Sequence, residues 1–213
     1  MGRINRYDTS GMIEDQYEPG THKRILKNIP GIRKKKELES FETNELHRTT
    51  NQLIRTYDRD HRFTAQDICF MHKLWLGSIY EWAGRYRQVM ISKGGFPFAP
   101  PDQIPRLMHE FEQGVLKSYT PCVFRNHNKI IHALAVVHVE LTLIHPFREG
   151  NGRLARLIAT LMGLQADLPF LDFRGIREKR KEAYFAAVRA GMAQDYALME
   201  DIFTYVVSRS LET

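Results

Sequence analysis

The stretch from His145 to Arg156, "HPFREGNGRLAR", puts a histidine, an acid, two glycines, an asparagine and three arginines into one turn between apolar segments. The run before it, "NHNKIIHALAVVHVELTLI" from 126 to 144, is apolar nearly all round and reads as a buried central helix. Helical periodicity resumes near Asn151. A helix that starts there aims unpaired N–H groups and the positive end of its dipole at the loop, which makes the loop an anion site. Gly150 and Gly152 let the backbone approach a phosphate closely. Arg153 and Arg156, three residues apart, are expected to project from the first turn on adjacent parts of one face and suit a ligand with several phosphates. Glu149 would repel such a ligand unless it holds a Mg²⁺ that bridges phosphate oxygens. His145, on the other lip, is placed to take a proton from an incoming hydroxyl near neutral pH. Phe147 is expected to point inward and anchor the loop. Taken singly, each of these residues also fits a structural ion-pair network; their conjunction in one short turn favours chemistry.

The elements that must hold this turn are mostly helical. The chain has 213 residues, 43% of them hydrophobic and 26% charged, enough for one domain with a sizeable core. Residues 1–40 read as an N-terminal arm packed on a domain of residues 41–213. The arm has few large apolar residues, turn signals at Pro19-Gly20 and Pro30-Gly31, and the basic run Arg33 to Lys36, taken as a solvated helix start rather than a phosphate grip. Helical pattern begins at Glu37. Thr64 and Asp67 resemble an N-terminal capping pair for a helix continuing through "DICFMHKLWLGSIYEWAG", with Ile68, Met71, Trp75, Ile79 and Trp82 as its core stripe. Short alternating runs around Lys93-Gly94-Gly95 predict a β-hairpin near 86–99, the one convincing piece of strand. Beyond it, Ile104, Leu107, Met108, Phe111 and Val115 restore the helical period. A helix over "GRLARLIATLMG", stopping at Gly163, and two more over about 176–190 and 196–209 complete an all-α reading with one hairpin.

Net charge +6 favours acidic partners, but the excess is spread along the chain. Cys69 and Cys122 are too few for a disulfide framework and lack a metal spacing, which suits reduced thiols in a cytoplasmic protein. No apolar segment approaches a membrane span. Among nine histidines none has zinc-site spacing; His132 and His138 fall on different helix faces and read as a core and a surface histidine. Nucleophile-elbow, Walker and dinucleotide fingerprints are absent. A nucleic-acid regulator would need a clustered basic face with base-reading residues, which the sequence does not offer.

"HPFREGNGR" followed by "LAR" resembles the Fic motif H-x-F-x-(D/E)-G-N-G-R-x-x-R at every fixed position. The similarity extends to "EWAGRYRQVMISKGGFPFA", like the Fic flap and its preceding helix, and to "YEPGTHKRILKNIPGI", like the N-terminal arm of many bacterial members. What the resemblance implies is an all-helical domain with a β-hairpin flap that transfers AMP from Mg-ATP to a hydroxyl of a Tyr, Thr or Ser on a target protein. By motif position it implies His145 as the base, Glu149 as the metal holder, and Gly150, Asn151 and Gly152 as an anion hole. Arg153 would contact the departing phosphates and Arg156 would steady the γ-phosphate. Ile91, Lys93, Gly94, Gly95 and Phe96 of the flap would hold the target segment by strand addition. The related Doc kinases carry lysine where this chain has Gly152, so Gly152 favours nucleotidyl transfer over kinase chemistry. UTP, GTP or CDP-choline as donor stays open, as does a Fic-like module that binds without turnover.

Many Fic proteins are silenced by a helix of pattern (S/T)-x-x-x-E-(G/N). Here the near matches are Ser10 with Glu14, followed by Asp15, and Ser208 with Glu212, followed by Thr213; neither is complete. The expectation is inhibition in trans by a small antitoxin that supplies the glutamate, the chain then being the toxin of a pair.

Overall fold

A computed structural model describes residues 11–179 and 181–212. The helices are α1 Lys35–Thr56, α2 Ala65–Leu76, α3 Ile104–Phe111, α4 Lys117–Tyr119, α5 His127–Ile144, α6 Asn151–Gln165, α7 Arg174–Lys179, α8 Lys181–Ala190 and α9 Ala197–Leu211. A π-helical segment, Glu112–Leu116, joins α3 to α4. The strands β1, Ser92–Lys93, and β2, Phe96–Pro97, pair antiparallel with Ser92 opposite Pro97 and Lys93 opposite Phe96. This is the all-α architecture with a small hairpin that the sequence predicts.

Helix α5 is the axis. Its N-terminus is capped by Asn126, whose side chain accepts the Lys129 N–H, and Ile130, Leu134, Val137 and Leu141 are among its many buried residues. It packs against α6, α9, α3 and α8. Burial all round explains why its sequence lacks a polar stripe. Helix α1 lies on α2, which starts with the expected capping box: the Thr64 hydroxyl accepts the Asp67 N–H and the Asp67 carboxylate accepts the Thr64 N–H. Of His132 and His138, it is His138 that is buried, whereas His132 is partly exposed and pairs with Glu200 at 2.7 Å.

Two helix ends differ from the sequence reading. Helix α2 stops at Leu76, not near Gly84, and residues 77–84 fold back on it in successive turns. The Gly84 N–H bonds to Nδ1 of His72, one helix turn before the end, so the chain reverses there. Ile79 and Trp82 are buried all the same, so the apolar spacing runs on past the end of the helix. Helix α6 runs through Gly163 to Gln165; Gly163 is buried against the Leu171 side chain, so its smallness serves packing and not a helix stop.

The N-terminal arm folds into a small antiparallel loop, with Tyr17 bridged to Leu26 and Asn28 bonding to Glu18, Leu26 and Ile32. Its Ile25 enters the core and its Ile29 N–H bonds to the Ile79 carbonyl. Arg33 to Lys36 are exposed, and Lys35 and Lys36 open α1. Among the described residues no helix is long and apolar enough to cross a membrane.

Candidate functional site

The turn from His145 to Gly150 joins the two most buried helices, so its backbone is held from several directions. Helix α5 ends with His145 in the left-handed region, φ 52°, and α6 begins after Gly150 at φ 86°. At Gly150 a Cβ would lie 2.8 Å from the Trp75 ring, so only glycine fits. Asn151 is buried; its Oδ1 accepts the Phe147 N–H at 2.9 Å and its amide donates to the Phe147 carbonyl at 2.7 Å. That side chain is therefore spent on closing the loop, and what Asn151 has to offer an anion is its backbone N–H at the first turn of α6. Phe147 points into the core as expected and stacks on His72 with centroids 3.9 Å apart.

His72 is a second clamp. Because its Nδ1 accepts the Gly84 N–H at 2.8 Å, its Nε2 carries the proton and donates to the Glu149 carbonyl at 3.0 Å. Burial pushes its pKa down to about 4, so it stays neutral in this role.

His145 has the arrangement of a base. Its Nδ1 lies 3.0 Å from the Thr142 carbonyl, which can only accept, so Nδ1 bears the proton and Nε2 presents a lone pair. Its ring stacks on Phe98 with centroids 3.6 Å apart and planes within 13°. Burial lowers its pKa to about 4, opposed by the Thr142 carbonyl and assisted by the nearby Arg87 guanidinium. The imidazole is thus neutral at pH 7, with its one proton on Nδ1.

The flap is tied to this turn through Arg87, whose side chain is 0% exposed. Its Nε donates to the His145 carbonyl at 2.8 Å, Nη1 to the Val89 carbonyl at 2.7 Å and Nη2 to the Ala99 carbonyl at 2.6 Å. One guanidinium thereby joins the motif loop to both ends of the hairpin, and burial lowers its pKa to about 10. Between those ends, Gly94 and Gly95 both have positive φ, as a two-residue primed turn requires. The Phe98 N–H bonds to the Ile91 carbonyl at 3.1 Å, extending the ladder. Ile91 and Phe96 are half-buried and Lys93 is exposed, its ammonium 5.3 Å from the ring centroid of Phe185 on α8.

The two motif arginines do not share one face as their spacing suggests; they divide around Gly152. Arg153 turns toward α1 and α2: Nη1 pairs with Glu42 at 2.6 Å, Nη2 with Glu149 at 3.4 Å, and the guanidinium lies 4.7 Å from the Trp75 ring centroid. Arg156 lies close enough to His138 of α5 and Tyr184 of α8 for its charge to act on both; burial first, and that charge second, lower the His138 pKa to about 3. A Cβ on Gly152 would meet only Arg156 Nη1, at 3.9 Å, so the space in front of the helix start is open. The Glu149 side chain is 47% exposed at the lip, with Oε1 accepting the Gly150 N–H.

The structure thus gathers His145, Glu149, Gly150, Asn151, Gly152, Arg153 and Arg156 around one helix start, with the hairpin beside His145. Sequence reasoning missed Glu42, Arg87 and His72, placed Phe98 only as the end of the flap hairpin, and took Trp75 for core alone. Phe98 carried a signal, the alternation Phe96-Pro97-Phe98; the buried glutamate and arginine carried none. Of the near matches to an inhibitory helix, Ser10 and Thr213 lie outside the described residues. Glu14 is in a 3₁₀ turn, where its carboxylate accepts the Gln88 N–H and its carbonyl accepts from Arg148 Nε. Glu212 is exposed at the end of α9.

A helical domain with a hairpin beside a histidine–glycine turn defines a class, and the comparisons agree with it. A family model described as the Fic/DOC family matches residues 62–162, which include the whole turn. A probable protein adenylyltransferase Fic of Escherichia coli is 29% identical over 205 residues, covering 89% of this chain and 90% of that one. Protein adenylyltransferase VbhT of Bartonella schoenbuchensis is 31% identical over 132 residues, 62% of this chain and 27% of that one. Among solved structures, the BepC protein of Bartonella tribocorum with bound AMPPNP superposes with a TM-score of 0.71 at 22% identity, covering 92% and 97% of the two chains. The N-terminal Fic domain of a Bartonella effector protein from Bartonella sp. AR 15-3 gives 0.72 at 25% identity, covering 92% and 91%. Residues 62–162 of the chain form a Fic/DOC domain.

Proposed function

We propose that this chain is a protein adenylyltransferase that moves AMP from Mg-ATP to a hydroxyl side chain of a target protein. The observation that carries the reading is His145, with Nδ1 committed to the Thr142 carbonyl and Nε2 left as a proton acceptor beside the N-terminus of α6. In this mechanism Nε2 takes the proton of a Tyr, Thr or Ser hydroxyl as its oxygen attacks the α-phosphorus of ATP. The N–H groups at the start of α6 bind the phosphate oxygens, Arg153 meets the departing pyrophosphate, and Arg156 steadies the γ-phosphate. Glu149, one exposed carboxylate with no cluster of three acidic, histidine or cysteine side chains among the described residues, fits a Mg²⁺ held mostly by phosphate and water. That ion, when bound, supplies charge neutralisation to the triphosphate. Ile91, Lys93 and Phe96, with the Gly94-Gly95 turn between the strands, would present the hairpin edge on which an extended target segment adds as a strand. Silencing in trans by an antitoxin glutamate belongs to the same proposal, with the chain as a toxin.

The test is labelling of a cell lysate by the isolated chain with α- or γ-labelled ATP. Label from the α position alone is the expected result; label from γ alone means kinase chemistry, and none from either means a binding module. His145→Ala should lower α-label transfer by about 10²–10⁴-fold while ATP binding persists. The unaltered chain should label by itself; labelling only after Glu14→Gly or Glu212→Gly would put the inhibitory carboxylate inside this chain.

A further inference from the structure

The side chain that fixes Arg153 comes from outside the motif. Glu42 on α1 is 4% exposed, and a carboxylate so buried is costly unless both oxygens are engaged. Here they are: Oε2 takes Arg153 Nη1 at 2.6 Å and Oε1 takes the Tyr80 hydroxyl at 2.7 Å. The Glu42 backbone is engaged as well, its carbonyl accepting the Trp75 indole N–H at 2.8 Å, while the Trp75 ring carries the Arg153 guanidinium on its face. The same ring backs Gly150, so the helix start and the guanidinium are registered against one platform.

If Glu42 served only to fasten α1 to α2, an apolar side chain of similar volume would do so at less desolvation cost. A carboxylate does something an apolar group does not: it fixes the plane and direction of a guanidinium. With Nη1 held on the buried side, Nη2 is turned to the loop lip, 3.4 Å from Glu149. The rotamer freedom of a long side chain is thereby removed before any ligand arrives.

We propose that Glu42 is a positioning residue that aims Arg153 at the diphosphate portion of the nucleotide. This rests on the reading that Arg153 meets the departing pyrophosphate, and its test does not need turnover. The probe is inorganic pyrophosphate in magnesium buffer, with binding measured by calorimetry on the whole chain. Four proteins are compared: unaltered, Glu42→Gln, Arg153→Ala and the double variant. Glu42→Gln keeps size and one acceptor and removes the charge. It should weaken pyrophosphate binding about tenfold, the scale of one misdirected charge-assisted hydrogen bond, and cause no further loss when added to Arg153→Ala. Equal losses in both backgrounds would mean that Glu42 acts on the fold. Tighter binding in Glu42→Gln would mean that it competes with phosphate for the arginine, and unchanged binding in Arg153→Ala that the arginine does not see phosphate; each overturns the proposal. Should Glu42→Gln fail to fold, Tyr80→Phe frees Oε1 alone and should give a smaller loss, again absent in the Arg153→Ala background. A chain that binds pyrophosphate through Arg153 yet transfers no α-label sinks the transfer reading and leaves this one standing.

Discussion

At the scale of single residues, the two motif glycines differ in what they are for. Gly150 combines φ 86° with a Cβ position 2.8 Å from the Trp75 ring, so the fold itself forbids a side chain there. Gly150→Ala should cost about 1–3 kcal/mol through backbone strain and displacement of Trp75. Gly152 is in helical conformation and a Cβ there meets only Arg156 Nη1, at 3.9 Å, so Gly152→Ala should fold almost as well as the unaltered chain. Its penalty should fall on nucleotide affinity, because the methyl fills the space in front of the helix start. Thermal melts together with ATP titration of both variants separate the two effects; an equal loss of melting temperature would refute the division. The bonding of Asn151 carries the same lesson, since a side chain that could face a ligand is instead used to make the loop rigid.

At the scale of elements, the flap is positioned from beneath by Arg87 rather than by its own two-residue strands, which are too short to be stable alone. Three carbonyls, from His145, Val89 and Ala99, converge on that guanidinium. Arg87→Met leaves them without their donors, at a cost of about 3 kcal/mol or more. Because one of the three belongs to His145, the variant should lose target labelling more than it loses ATP affinity, and limited proteolysis should cut within 88–99 faster than in the unaltered chain. Unchanged cleavage there would show that Phe98 stacking on His145 suffices to hold the hairpin.

At the scale of the whole molecule, three histidines are kept neutral by burial: His72 and His145 with pKa near 4 and His138 near 3. In the unfolded chain a histidine titrates near 6.5. Below that pH the unfolded state binds more protons than the folded one, so stability rises with pH through this window. The sign gives a loss of stability as pH falls from about 6.5 to 4, and His138→Gln should flatten it. Melting temperature against pH checks this; a curve flat down to pH 4 would mean that the three rings are more accessible to water than the packing indicates.

Much of the site was legible in the sequence because it is local. The motif loop draws His145, Glu149, Gly150, Gly152, Arg153 and Arg156 from one short segment, and chain connectivity alone brings them together. The capping box at Thr64 and the paired glycines of the hairpin were legible for the same reason. Tertiary structure decided what lies behind them: that α2 ends at Leu76 because residues 77–84 turn back onto His72, that Trp75 is a platform as well as core, and that Glu42 and Arg87 reach the motif from distant elements. An isolated acid or arginine in an ordinary helix or loop sequence has no periodicity to announce that it is buried. Its partner is fixed only when the helices close, and burial then makes that one pairing far more favourable than any alternative.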